Sequence, residues 1–141
     1  MGKNKNNIDI LPIPKKCRYC GNDVILTSNA EIYGKEYGNG KCYLCRSCRA
    51  YVGVHTGTVI PLGTLADKNL RNLRNNAHML FDKLWKGQTR KMTRYDAYRW
   101  LSNKMNIKIE ETHIGWFDEE QCKKIINLLG DKTNDRNLER Y

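Results

Sequence analysis

The spacing of apolar and polar residues changes character partway along the chain. From Cys17 to Cys48 the apolar positions come in short runs, Val24-Ile25-Leu26-Thr27, Glu31-Ile32-Tyr33 and Lys41-Cys42-Tyr43-Leu44. Gly21, Gly34, Gly38 and Gly40 break them up. Runs this short between glycines have the rhythm of small hairpins. Tyr51-Val52-Gly53-Val54-His55 continues as a further strand. Upstream, Ile8 to Pro14 alternates and predicts a short strand that Pro12 and Pro14 confine to a sheet edge.

From residue 64 the period lengthens. Ala66, Leu70, Leu73, Ala77, Leu80, Phe81 and Leu84 recur at steps of three and four and make one apolar helical face. Arg71, Arg74, Asn75 and His78 fall on another face. Thr64 predicts the N-cap, Asp67 suits the first turn and Gly87 marks the stop. A second helix is predicted from Thr93 to Met105, with Thr93 and Asp96 as its capping pair and Ala97, Trp100, Leu101 and Met105 turned inward. A third begins at Asp118, where Gln121 completes a capping-box signal. Cys122, Ile125, Ile126 and Leu129 form its stripe, and Gly130 ends it.

The cysteines give the first half its chemistry. Cys17-Arg18-Tyr19-Cys20-Gly21 and Cys45-Arg46-Ser47-Cys48 are two knuckles separated by 24 residues. In a knuckle two sulfurs converge on one metal, and N–H groups of the tight turn stabilise the thiolates. Two knuckles make a closed tetrahedral shell with no position left for water, the arrangement of one structural Zn²⁺ rather than a hydrolytic one. Cys42-Tyr43-Leu44-Cys45 overlaps the second pair and leaves Cys42 open as a substitute for Cys48. Arg46-Ser47 suits a turn better than Tyr43-Leu44, which favours Cys17, Cys20, Cys45 and Cys48 as the ligands. Cys122, on an apolar helical stripe, reads as core.

The expected architecture is therefore α+β: a Cys₄ zinc ribbon of short antiparallel strands followed by about three α-helices. Residues 1–14 are expected to be a flexible segment, 15–60 the ribbon, 61–130 a helical region packed with it, and 131–141 a flexible tail. Pro61-Leu62-Gly63 is too short for a flexible linker and points to one continuous domain.

Charge adds a candidate partner. The chain of 141 residues carries a formal net charge of +10, unevenly placed. Residues 1–50 hold a net of +5, residues 51–105 a net of +7, and residues 106–141 a net of −2. A basic excess over the ribbon and the first two helices fits a polyanion such as nucleic acid. Arg18, Tyr19, Lys41, Tyr43, Arg46 and Arg49 cluster in sequence around the ligands, and Arg71 and Arg74 extend the basic surface. Basic groups would contact phosphates, while tyrosines would stack on unpaired bases. No run is apolar enough for a membrane span. The N-terminus lacks the apolar core of a signal peptide, so a cytoplasmic protein with reduced thiols is expected.

Several blocks have a family likeness. The run from Cys45 through Arg49-Ala50-Tyr51-Val52-Gly53-Val54-His55-Thr56-Gly57-Thr58 resembles a zinc-finger-containing domain family of unknown function found in phages and prophages. So do Pro61-Leu62-Gly63-Thr64-Leu65-Ala66-Asp67, Ala77-His78 with Phe81-Asp82-Lys83-Leu84-Trp85, and His113-Ile114-Gly115-Trp116-Phe117-Asp118-Glu119-Glu120-Gln121-Cys122. The likeness covers roughly residues 15–130. The ribbon is in turn loosely similar to the C-terminal zinc ribbons of type IA topoisomerases, which grip single-stranded DNA. Val54 and Thr112 stand where cysteine is common in the family, and both changes argue against a second metal site.

The resemblance and the charge together point to a non-catalytic nucleic-acid-binding accessory protein, phage or prophage encoded and acting in the host cytoplasm, with DNA preferred to RNA. Two alternatives are carried forward. One is an adaptor or inhibitor of a host protein, for which Trp116-Phe117 offers an aromatic contact if it is not simply a helix-entry staple. The other is a metal-dependent His-Asn-His-like nuclease built on His55, Asn69 or Asn72, and His78. His113 completes the histidines, each of which reads first as a packing or hydrogen-bonded side chain.

Overall fold

Three of the apolar runs become strands of one antiparallel sheet. In the computed structural model, which describes residues 11–130, β1 is Ile25–Ser28, β2 Lys41–Leu44 and β3 Tyr51–Gly53, in the order β1-β2-β3. Ile25 pairs with Leu44 and Thr27 with Cys42, while Tyr43 pairs with Val52 and Leu44 with Tyr51. Because side chains alternate along a strand, Leu26, Tyr43 and Val52 share one face. Thr27, Cys42 and Gly53 share the other with Ile25, Leu44 and Tyr51.

Glu31-Ile32-Tyr33 is not a strand. It lies in α1, Ala30–Tyr33, a single helical turn. The Ser28 hydroxyl accepts from the Ala30 N–H at 3.1 Å, and Gly34 closes the turn at φ 88. A left-handed residue there ends the turn and sends the chain back toward β2. Residues 11–14 of the proposed edge strand are also unpaired. The prolines remove donors, and cross-strand pairing starts only where Lys16 meets Asp23. The expectations for residues 1–10 and 131–141 lie outside the described residues.

Three longer helices follow: α2 Lys68–Asp82, α3 Arg94–Met105 and α4 Glu119–Leu129. α2 starts later than Thr64 suggested. Ala66 is held extended by a reciprocal backbone pair with Tyr51, at 3.0 and 3.2 Å, and the Asp67 carboxylate then accepts from the Leu70 N–H at 2.9 Å. Asp67 is therefore the cap. The helix also ends before Gly87, which sits at φ 82 in the loop beyond it. For α3, Thr93 caps as expected by accepting from the Asp96 N–H. For α4, Asp118 and Gln121 form the full reciprocal capping box. Between these helices lie two short 3₁₀ turns, Ile109–Glu111 and Ile114–Trp116, in a stretch with no clear period. The architecture is α+β.

By packing, the chain divides into two units, Met1–Arg71 and Asn72–Tyr141. The core of the first gathers Cys17, Tyr43, Cys45, Ala50, Val52, Val54 and Leu65 around the metal-facing side of the sheet. In the second, Ala77, Phe81, Ala97, Leu101, Ile114, Phe117, Cys122 and Ile125 are buried, with the Phe81 and Tyr98 rings edge to face at 4.8 Å. Cys122 is core, as its place on the stripe implied. Among the described residues, no helix is long and apolar enough to cross a membrane.

Asp118→Ala removes one half of the α4 capping box. A loss of about 1 kcal/mol is expected, read as a lower urea midpoint, with Asp118→Asn retaining most of the stability.

Candidate metal centre

Both knuckles are built on the same backbone frame. In the first, the Cys17 N–H donates to Asn22 O at 2.7 Å and the Gly21 N–H donates to Cys17 O at 2.9 Å. In the second, Cys45 donates to Ala50 O at 2.9 Å and Arg49 donates to Cys45 O at 2.8 Å. The fourth residue after the leading cysteine must turn left-handed in each. Gly21 does so at φ 79 without penalty, and Arg49 does so at φ 70 with a side chain attached.

The two frames bring four sulfurs together. The Sγ atoms of Cys17, Cys20, Cys45 and Cys48 all lie within 4.8 Å of one another. Cys17 and Cys48 approach to 3.4 Å, as do Cys20 and Cys45. A tetrahedral zinc with Zn–S bonds of about 2.3 Å sets its sulfurs about 3.8 Å apart, so the cluster has the right size for one such ion. Donors already point at the sulfurs: the Tyr19 N–H reaches Cys17 at 3.3 Å, and the Asn22 amide reaches Cys20 at 3.4 Å. Cys42 is not one of the four. It is 1% exposed on the other face of the sheet, and burial pushes its thiol up, so it stays protonated and inert.

The proton chemistry of the cluster suits a cation. At Cys17 burial opposes ionisation, but the N–H groups of Cys20 and Tyr19, helped by the neighbouring thiols, outweigh it and bring the thiol down to about 7. At Cys48 the Ala50 N–H favours the thiolate, yet burial and the Cys17, Cys45 and Cys20 thiols push it up to about 12. The first negative charge forms readily and the last is refused. A divalent ion removes that repulsion, and protons leave as it binds.

Glu31, not singled out from the sequence, holds the second knuckle in place. Its carboxylate accepts from Arg46 Nε at 3.0 Å and Nη2 at 2.7 Å, while its carbonyl accepts from Arg49 Nη2 at 2.8 Å. The Arg46 hydrogen bonds, with one from Thr27, bring the Glu31 carboxyl down to about 2. The available signal was isolation: Glu31 and Glu36 are the two acids between Asp23 and Asp67.

The other predicted surface residues separate by environment. Tyr19 is 41% exposed beside the metal, with the Arg18 guanidinium 5.4 Å from its ring. Arg18 also donates to Thr64 Oγ1 at 3.2 Å. Lys41 is exposed, and Arg71 lies 4.0 Å over the Tyr51 ring. Tyr43 is in the core at 3% exposure, its hydroxyl donating to Val59 O at 2.6 Å, so its ring is not available to a base. Arg74 is buried in the second unit and donates to Phe117 O at 3.0 Å.

Two of the histidine rings have local partners: His78 pairs with Asp82 at 3.2 Å, and His113 packs on Trp116 at 4.1 Å. At His55 the backbone carbonyl accepts from Thr58. Among the described residues, the four cysteines are the one group of three or more metal-ligating side chains gathered this closely. Val54 and Thr112 are both buried, and neither adds a ligand.

Chelation of the metal is expected to abolish the β-sheet signal of the ribbon in circular dichroism. Cys48→Ser should lower zinc content below one ion per chain, whereas Cys42→Ser should keep one. Arg49→Gly and Arg49→Ala both lose the contact with Glu31, but only Ala keeps the left-handed strain. Arg49→Gly should be the more stable of the two by about 1 kcal/mol in thermal denaturation.

Compared with models of protein families, residues 13–132 match a zinc-finger-containing domain. No curated protein and no solved structure matches.

Proposed function

Because the chain belongs to that zinc-finger-containing domain family, we propose that it is a nucleic-acid-binding protein whose zinc is structural rather than catalytic. One observation carries this reading. The metal centre draws together two basic segments that lie far apart in sequence, Arg18-Tyr19 on one knuckle and Arg46 with Arg49 on the other, and all four side chains remain exposed. Lys41 and Arg71 add further positive charge within the same unit. A net charge of +10 supports long-range attraction to a polyanion. The four-sulfur shell supports the non-catalytic half of the reading, since it leaves no coordination position for water or substrate.

The cations are oriented before a ligand arrives. Arg49 is tied to the neutral Glu31 carbonyl and Arg18 to Thr64, so each loses less freedom on meeting a phosphate than a loose side chain would, whereas Arg46 already shares its charge with the Glu31 carboxylate. Arg46 keeps an exposed edge while paired. DNA is the polymer proposed first, with the cytoplasm as the compartment where it is met.

The test is equilibrium binding of the zinc-loaded protein to DNA and RNA across a salt series. Engagement of about four phosphates gives log K against log salt a slope of about −3 to −4. Arg18→Ala and Lys41→Ala should each make that slope shallower by about 1. Affinity that ignores salt, or no binding at low salt, overturns the proposal. Capture of a protein partner from nuclease-treated lysate by a chain that binds no nucleic acid would put an adaptor role in its place.

A further inference from the structure

The face of the sheet turned away from the metal carries an open groove of about 430 Å³. That lies within the range of about 300–1,000 Å³ found for small-molecule sites. Cys42 and Gly53 form its floor, and Tyr33, Tyr37 and Tyr51 its walls. The Tyr33 ring stands at 76° to Tyr37, with centroids 5.8 Å apart, and at 90° to Tyr51 at 6.4 Å. The three rings make corners rather than a closed stack. A flat aromatic ring entering such a corner lies parallel to one tyrosine and meets the edge of the next, and both arrangements are favourable.

The walls are fixed in advance. Asn29 is buried, and both ends of its amide hold the Tyr37 backbone: Nδ2 donates to Tyr37 O at 2.8 Å and Oδ1 accepts from Tyr37 N at 3.1 Å. Asn39 donates to Val54 O and accepts from the Thr56 hydroxyl, which anchors the loop before β2. Tyr51 is pinned under the Arg71 guanidinium, which also donates to Ala66 O at 2.8 Å. Tyr33 and Tyr37 are nevertheless 50% and 51% exposed. A rigid frame thus presents aromatic surface to water.

The charges around the groove decide what it accepts. An aromatic corner also suits a quaternary ammonium group, but here cations are already in place. The Lys35 ammonium is 5.3 Å from the Tyr37 ring centre, Arg71 covers Tyr51, and Lys41 lines the groove. Of the two acids in the segment, Glu31 is paired with Arg46, and Glu36 lies beside Gly40. The local excess is positive, which repels a cationic ligand and attracts an anionic one. A flat ring carrying phosphate meets both demands.

We propose that this groove receives one unstacked nucleobase of a single strand, with the adjoining phosphates at Lys35 and Arg71. The inference rests on the nucleic-acid reading above and adds to it the strandedness and the residues that set it. A duplex keeps its bases stacked and offers none to the groove without unpairing.

The experiment uses the zinc-loaded full chain with single-stranded DNA and RNA oligonucleotides carrying 5-iodouracil, and with the corresponding duplexes. Affinity is measured first, and the photocrosslinked residues are then mapped by mass spectrometry. The expected result is a preference for single strands, crosslinks at Tyr33, Tyr37 or Tyr51, and a loss of about tenfold in affinity for Tyr33→Ala and for Tyr37→Ala. Tyr37→Phe, which keeps the ring, should bind as the unaltered protein does. Zinc content and circular dichroism of each variant show whether a loss of binding comes from the groove or from misfolding. Salt-dependent binding that crosslinks elsewhere and ignores both alanine variants overturns the groove but leaves the nucleic-acid reading standing, as does a preference for duplex. Failure to bind any nucleic acid overturns both.

Discussion

Four cysteine sulfurs crowded within 4.8 Å of one another repel as thiolates, and a cation among them removes that repulsion. The rest of the ribbon depends on that balance. Its strands are three or four residues long, and its buried cluster is small and includes two of the ligands themselves, Cys17 and Cys45. Apparent binding energies for structural zinc are about 10–16 kcal/mol near neutral pH, the size of a whole domain's stability of about 5–15 kcal/mol. The metal therefore belongs to the core of this unit rather than being an addition to it. The second unit has an apolar core of its own, in which Phe81, Leu101, Ile114, Phe117 and Ile125 are buried.

Strand alternation turns a thin sheet into a partition. Tyr43 and Val52 pack on the metal side, while Cys42 and Tyr51 face the opposite side. This explains why two tyrosines eight residues apart have unlike environments, one sealed in the core and one bordering an open groove. It also separates two cysteines three positions apart, a ligand at Cys45 and an inert thiol at Cys42. The basic residues show the same division of labour. Arg46 and Arg49 brace the knuckle through Glu31, Arg71 braces a tyrosine, and Lys41 stays free for solvent.

The ligand set was legible in the sequence because a knuckle is a local motif: two cysteines, one turn, one left-handed residue. The apolar stripes of α2, α3 and α4 were legible for a similar reason, since helical packing writes its period directly into the chain. Errors arose where distant backbone decided the outcome. Thr64 reads as a cap, but Ala66 is claimed by Tyr51 as an extension of the sheet, and the helix cannot start until Asp67. Glu31-Ile32-Tyr33 reads as a strand because Ile and Tyr favour one, yet Ser28 and Gly34 close a helical turn around it. Tyr43 looks like a base-stacking residue by its neighbours in sequence. Only the register of β2 against β3 shows that it points inward. The aromatic groove was invisible for the same reason, since Tyr33, Tyr37 and Tyr51 meet only once α1 and the sheet are folded together.

Glu31 sits at a junction between the two faces. Its helical turn supplies Tyr33 to the groove, and its carboxylate and carbonyl hold the arginines of the second knuckle. Metal and groove therefore share one mechanical element. Free-energy coupling between two sites is symmetric. If loading the knuckle tightens the groove around its ligand, then the ligand must hold the ion more firmly by the same factor, and at equilibrium a competing chelator will strip less metal from an occupied ribbon than from an empty one.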